Sequence, residues 1–65
     1  MKDYYEVLGI SPRAESVVLS AVYRSLAKKY HPDVYHAADR DMRMREINEA
    51  YEVIANPSRR SNYDA

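Results

Sequence analysis

Residues 16–33 read SVVLSAVYRSLAKKYHPD, and this stretch decides the fold. At roughly 100° per residue, Leu19, Val22, Tyr23, Leu26 and Tyr30 fall on one face, with Val17, Ala21, Arg24 and Lys28 opposite. The spacing predicts an amphipathic helix from about Ser16 to Tyr30. Ser16 is the expected N-cap, because a short hydroxyl reaches the free N–H groups of the first turn and Glu15 caps poorly. Lys28 and Lys29 sit in the last turn, where cations offset the negative end of the helix dipole. Pro32 lacks an N–H and pushes His31 out of helical geometry, so the helix stops there.

Working outward, Asp3 and Glu6 form a capping-box analogue that starts a short helix over Tyr4–Leu8, stopped at Gly9. Ser11-Pro12 makes the connector, and so short an element must dock on something longer to persist. On the other side, Val34 to Arg40 reads as a polar connector of the length usual between antiparallel helices. Asp39 is the expected N-cap of a third helix from about Arg40 to Ala55. Met44, Ile47, Tyr51 and Ile54 form its inward stripe with Ala50 beside them, while Arg45, Glu49 and Glu52 face solvent. Asn56-Pro57 ends it, and Pro57 opens a last short helix ending near Tyr63-Asp64. No alternating strand pattern competes. The fold class is all-α: an antiparallel hairpin of the second and third helices with a short helix at each end.

Sixty-five residues make one small domain with a thin core. Cysteine is absent, which excludes disulfides, zinc ribbons and a thiol nucleophile. A single glycine, Gly9, excludes Gly-rich phosphate loops. Ten Lys+Arg balance ten Asp+Glu, so bulk attraction to nucleic acid or an acidic membrane has no support. No apolar run approaches the roughly 18–20 residues of a membrane helix, and Met1-Lys2-Asp3-Tyr4-Tyr5 lacks the basic and apolar parts of a secretion signal. Cytoplasmic residence is the expectation. The aromatic content is seven tyrosines, expected to be mostly core.

The functional candidates are His31-Pro32-Asp33 at the hairpin tip. Proline holds the tripeptide outside both helices, so an imidazole and a carboxylate point outward beside Lys28 and Lys29. That arrangement suits docking to a charged partner surface.

Four blocks carry a family resemblance. Asp3-Tyr4-Tyr5-Glu6-Val7-Leu8-Gly9 resembles the opening of a J-domain, the module of DnaJ-type co-chaperones. Tyr23-Arg24-Ser25-Leu26-Ala27-Lys28-Lys29-Tyr30-His31-Pro32-Asp33 resembles the end of that family's second helix and its signature loop. Ile47-Asn48-Glu49-Ala50-Tyr51-Glu52-Val53-Ile54 resembles its third helix, and Arg60 with Tyr63-Asp64 the close of its fourth. The blocks stand in order and in register over nearly the whole chain.

The resemblance implies a single J-domain over residues 1–65, an N-terminal module of a longer co-chaperone that is not itself an enzyme. It implies docking on the ATPase domain of a DnaK-type seventy-kilodalton heat-shock chaperone, whose ATP hydrolysis the module stimulates. His31, Pro32 and Asp33 would be the indispensable tripeptide, with Asp33 pairing with an arginine of the chaperone. Arg24, Lys28 and Lys29, with Tyr23 at their edge, would meet an acidic chaperone surface, and Arg45 matches a contact position more loosely. Clients would bind through other regions, the module would be monomeric, and no cofactor, metal, nucleic acid or membrane is implied. Two departures stand out. Val17, Val18, Ser20, Ala21 and Ser25 occupy positions that are often charged in relatives, and Met44 replaces a usual phenylalanine.

Three other readings are weaker. A hydrolase built on His31, Asp33 and His36 lacks an activated serine and a pocket. A metal site from His31, Asp33, His36 and Asp39 has no recognised spacing across the rigid Pro32. A groove-binding helical hairpin would find its phosphate attraction partly cancelled by Glu46, Glu49 and Glu52. Arg59-Arg60 reads either as a merely solvated pair or as one whose Arg60 ties the last turn to the rest by a salt bridge.

Overall fold

In the computed structural model, residues 3–65 are described; Met1 and Lys2, part of the stretch read for a secretion signal, lie outside them. The element order is α1 (Tyr4–Leu8), α2 (Ser16–Lys29), α3 (Arg40–Ala55) and α4 (Pro57–Asp64), with no strand among the described residues. The all-helical expectation therefore holds. α3 is the spine, touching each of the other three helices. At 16 residues it spans about 24 Å, in a molecule of 37 × 25 × 16 Å.

Each helix end has a local cause. The Asp3 carboxylate accepts hydrogen bonds from the N–H groups of Tyr5 and Glu6 at 3.0 and 3.2 Å, starting α1 as expected. Gly9 closes it with φ +68°, left-handed geometry that costs a side chain dearly. A Cβ there would meet no atom within 4 Å, so dihedral strain alone opposes substitution. At α2 the expected cap is wrong by one residue. Glu15 holds the extended backbone of the cap position, and its carbonyl accepts from Val18 and Leu19. Ser16 is already helical, so its hydroxyl is past the point where it can serve as N-cap. Asn56 caps α4, accepting from the Arg59 N–H at 3.1 Å, with Pro57 in the first turn.

The core consists of Tyr5, Leu8, Leu19, Ile47, Ala50 and Ile54. Met44 and Tyr51 of the expected stripe are half-buried against it, as are Val22, Tyr23, Leu26 and Tyr30 of α2. Only one tyrosine, Tyr5, is buried. Tyr4, Tyr23, Tyr30, Tyr51 and Tyr63 are half-buried at the rim of the core, where a phenol can reach a polar partner or water, and Tyr35 lies off the core in the connector. Tyr4 stacks on Tyr63 at 5.0 Å between ring centroids, and its N–H donates to the Tyr63 hydroxyl. The Tyr5 hydroxyl donates to Asp64 at 2.6 Å. Arg60 does tie α4 down, through hydrogen bonds instead of the expected salt bridge. It donates to the Tyr5 hydroxyl and to the Pro12 and Ala14 carbonyls at 3.2, 3.0 and 2.9 Å. These carbonyls lie in a connector with few backbone partners, so the planar fork of Arg60 satisfies two acceptors at once.

Candidate interaction site

α2 ends as its sequence requires. Tyr30 leaves helical geometry at φ −99°, ψ 17°, its N–H still bonded to the Leu26 carbonyl. The chain then turns tightly: the His31 carbonyl accepts from both Val34 and Tyr35 N–H groups at 3.0 and 2.9 Å. Inside that turn the Asp33 N–H donates to His31 Nδ1 at 3.2 Å. A neutral ring accepting at Nδ1 carries its proton on Nε2, so the imidazole offers an N–H donor to the outside. The Asp33 carboxylate lies 3.6 Å from Nδ1, and the His31 and Asp33 side chains are 57% and 87% exposed. The tip thus displays one donor and one carboxylate on a turn that carries hydrogen bonds of its own.

Arg24, Lys28 and Lys29 are exposed on α2. Arg24 and Lys28 are one turn apart and share a face, so positive charge runs toward the tip. Lys29 also lies 5.2 Å from the centre of the Tyr30 ring. Tyr23 is placed differently. Its ring stacks on Tyr51 at 4.0 Å and its hydroxyl donates to Asn48 at 2.7 Å, so it belongs to the α2–α3 seam and offers a partner only an edge. Arg45 is exposed three residues before Asn48 on α3, beside the same seam. It borders a shallow groove whose other polar walls include Asp41, Glu49 and Glu52, which offset its charge.

The connector holds more than its polar composition suggested. Asp39 occupies the cap position of α3 but makes no side-chain cap bond. Its carboxylate instead accepts from the Tyr35 hydroxyl at 3.1 Å and from Arg43 Nε at 3.2 Å. The Arg43 bond holds the Asp39 carboxyl below its usual range. Burial, helped by the Asp39 bond, pushes the Tyr35 phenol up. The Tyr35 ring meets Tyr30 edge-on at 4.7 Å. Arg40 donates through Nε to the Tyr30 carbonyl at 2.7 Å and pairs with Asp41. Sequence reasoning missed Tyr30, Tyr35, Asp39, Arg40 and Arg43 as a unit. The signal was present in the four-residue spacing of Tyr35, Asp39 and Arg43 and in the two tyrosines flanking the tripeptide.

The same bonds weaken the metal reading, since Asp39 is already engaged. Among the described residues, no group of three or more His, Asp or Glu is placed to hold a metal ion. The groove against Tyr30, about 320 Å³, is bordered by Asp3, Glu6, Arg43 and Glu46. No helix among the described residues is long and apolar enough to cross a membrane.

The model of the DnaJ domain matches residues 3–64. The chain belongs to the DnaJ domain family. It is 51% identical over 62 residues to a Chaperone protein DnaJ of Lactobacillus delbrueckii subsp. bulgaricus, covering 95% of this chain and 16% of that protein. It is 46% identical over 63 residues to a Curved DNA-binding protein of Pseudomonas putida, covering 97% of this chain and 20% of that one. Among solved structures, the J-Trx1 fragment of ERdj5 superposes with a TM-score of 0.88 at 32% identity, over 98% of this chain and 32% of that fragment. The chain spans less than a quarter of the length of these two curated relatives. This DnaJ domain thus carries its tripeptide in the α2–α3 turn, where the four sequence blocks put it.

Proposed function

We propose that this chain is one module of a longer, cytoplasmic co-chaperone. It docks on the ATPase domain of a DnaK-type heat-shock chaperone and stimulates ATP hydrolysis there, coupling hydrolysis to capture of a client polypeptide. His31, Pro32 and Asp33 form the essential contact, with Asp33 meeting a cation of the chaperone. Arg24, Lys28 and Lys29 steer and hold an acidic surface, and Tyr23 and Arg45 lie at the margin of the contact. The chain contributes no reacting group. It acts by binding one arrangement of the chaperone better than the resting one, and the size of that preference limits the acceleration. The domain acts as a monomer, without cofactor, metal or membrane.

The observation that carries this reading is the exposed His31–Asp33 pair on a turn stiffened by its own hydrogen bonds, next to the basic end of α2. A pre-ordered contact loses little entropy on binding. Steady-state ATP turnover of a DnaK-type chaperone tests it: the chain should accelerate turnover, and His31→Gln should abolish the acceleration. A folded chain that leaves turnover unchanged ends the proposal. Groove binding to DNA is the lesser reading. The relative named for curved DNA is matched over a fifth of its length, and its name describes the whole protein. DNA retardation by this chain that persists in Asp33→Asn would reverse the preference.

A further inference from the structure

The turn bearing His31, Pro32 and Asp33 is gripped on both sides by the first turns of α3. On its entry side, Arg40 Nε donates to the Tyr30 carbonyl, the acceptor left free where α2 ends. On its exit side, Tyr35 is bonded through its hydroxyl to Asp39, which Arg43 clamps from one turn further on. The two sides touch each other through the edge-on contact of Tyr35 with Tyr30. Tyr35 is half-buried yet is not among the residues packed on the main core. Its contacts therefore order the connector and add little to the fold as a whole.

We propose that Tyr35 is a positioning residue: set edge-on against Tyr30 and held by Asp39, it closes the base of the tip and fixes the direction in which His31 and Asp33 are presented. The consequence for docking rests on the co-chaperone reading above. The geometric part does not. Without the Tyr35 ring, the two ends of the turn are joined only by the turn's own backbone bonds and by Arg40. The Asp33 N–H to His31 bond then forms in a smaller fraction of molecules, and apparent affinity for a partner falls by that fraction.

Two measurements on this chain decide the matter. The first is backbone amide relaxation over residues 31–35, compared between the parent, Tyr35→Ala and Tyr35→Phe. The alanine variant should show a clear loss of order at Asp33 and Val34 while the thermal midpoint stays nearly unchanged, and the phenylalanine variant should recover most of the order. The second is the concentration of chain giving half-maximal stimulation of a DnaK-type ATPase. An edge-on aromatic contact of ordinary strength predicts a rise of about fivefold for Tyr35→Ala and about twofold for Tyr35→Phe, with the maximal rate little altered. Unchanged amide order in a folded Tyr35→Ala overturns the proposal whatever the ATPase shows. Lost order with an unchanged half-maximal concentration also overturns it, because the tip would then dock equally well unbraced. A parent chain that gives no stimulation sinks the co-chaperone reading instead, and the relaxation data still judge the brace.

Discussion

The two ends of the molecule are held by the same residue types in opposite ways. At the α1–α4 end, tyrosines and Arg60 join residues 46 to 59 positions apart, over the buried core. At the tip, tyrosines and arginines join residues no more than 10 apart, with the functional side chains in water. Long-range bonds close the fold, so losing one loosens the whole domain. Local bonds order one turn, so losing one alters what that turn presents. The difference teaches that stability and docking are separable here, and substitutions at the two ends should sort cleanly by readout.

The sharpest way to break that separation is Asp33→Asn. It should bring stimulated ATP turnover of a DnaK-type chaperone down to the basal rate, with thermal stability shifted by no more than about 0.5 kcal/mol, as for an ordinary surface change. A large fall in melting temperature would show that the tip is part of the fold after all. The converse is Leu19→Ala, whose side chain is fully buried in the first turn of α2. It should cost about 2–5 kcal/mol in denaturant unfolding, a large share of the roughly 3–10 kcal/mol a domain of this length holds. Stimulation per folded molecule should persist.

Arg60→Ala is the intermediate case. It removes three donors to the Pro12 and Ala14 carbonyls and the Tyr5 hydroxyl, and should cost about 1–3 kcal/mol because those acceptors lose a charged partner. The half-maximal concentration in the ATPase assay should not move. If it does, the two ends communicate through α3, the one helix that both share.

The helices were legible because periodicity and punctuation agree: Asp3, Gly9, Pro32 and Asn56-Pro57 each end or begin an element where simple sterics says they must. The tripeptide was legible because Pro32 isolates it between two amphipathic stretches. What could not be read were side-chain destinations. Tyr23 was legible as part of the apolar face and the edge of the basic one, but not that its ring would meet Tyr51, a partner set by how α2 crosses α3. Asp39 looked like a cap because its position and type fit one. Arg43 and Tyr35 compete for the same carboxylate and win, and that outcome depends on the path of the connector. The tyrosines looked like core at helical spacing, and their hydroxyls drew them to the rim.

The apolar first half of α2 gives a further, smaller contrast. Val17 is 70% exposed and Val18 46%, and Ala21 and Ser25 are exposed beside them, whereas Ser20 is half-buried. Only the second half carries charge toward a partner, through Arg24, Lys28 and Lys29. Docking to the chaperone should therefore weaken only modestly, by about threefold or less, as salt rises through the range where the Debye length falls below about 10 Å. A titration series across ionic strengths checks this, and a steep loss would show that the apolar half is not a neutral part of the contact.

The smallest expected effect concerns pH, and it separates the tip from the core without any substitution. The Asp39 carboxyl is held low, first by the Arg43 hydrogen bond and then by Tyr35. A carboxyl depressed on folding favours the folded arrangement fully above its unfolded value, and that contribution is lost as pH falls through the folded one. The Tyr35 phenol is raised, first by burial and then by Asp39, so its contribution is complete below the ordinary phenol range and is lost as pH rises through the shifted value. Order at residues 31–35 should accordingly form a plateau from weak acid to weak alkali and fall at both extremes. Both groups are solvent-accessible, so the change is small and partly screened. Amide relaxation as a function of pH should show the acid limb at Tyr35 and Asp33 before residues of α1 or α4 respond. Loss at both ends of the molecule in one step would mean that the connector has no independent order, and the two regions would then have to be treated as a single cooperative unit.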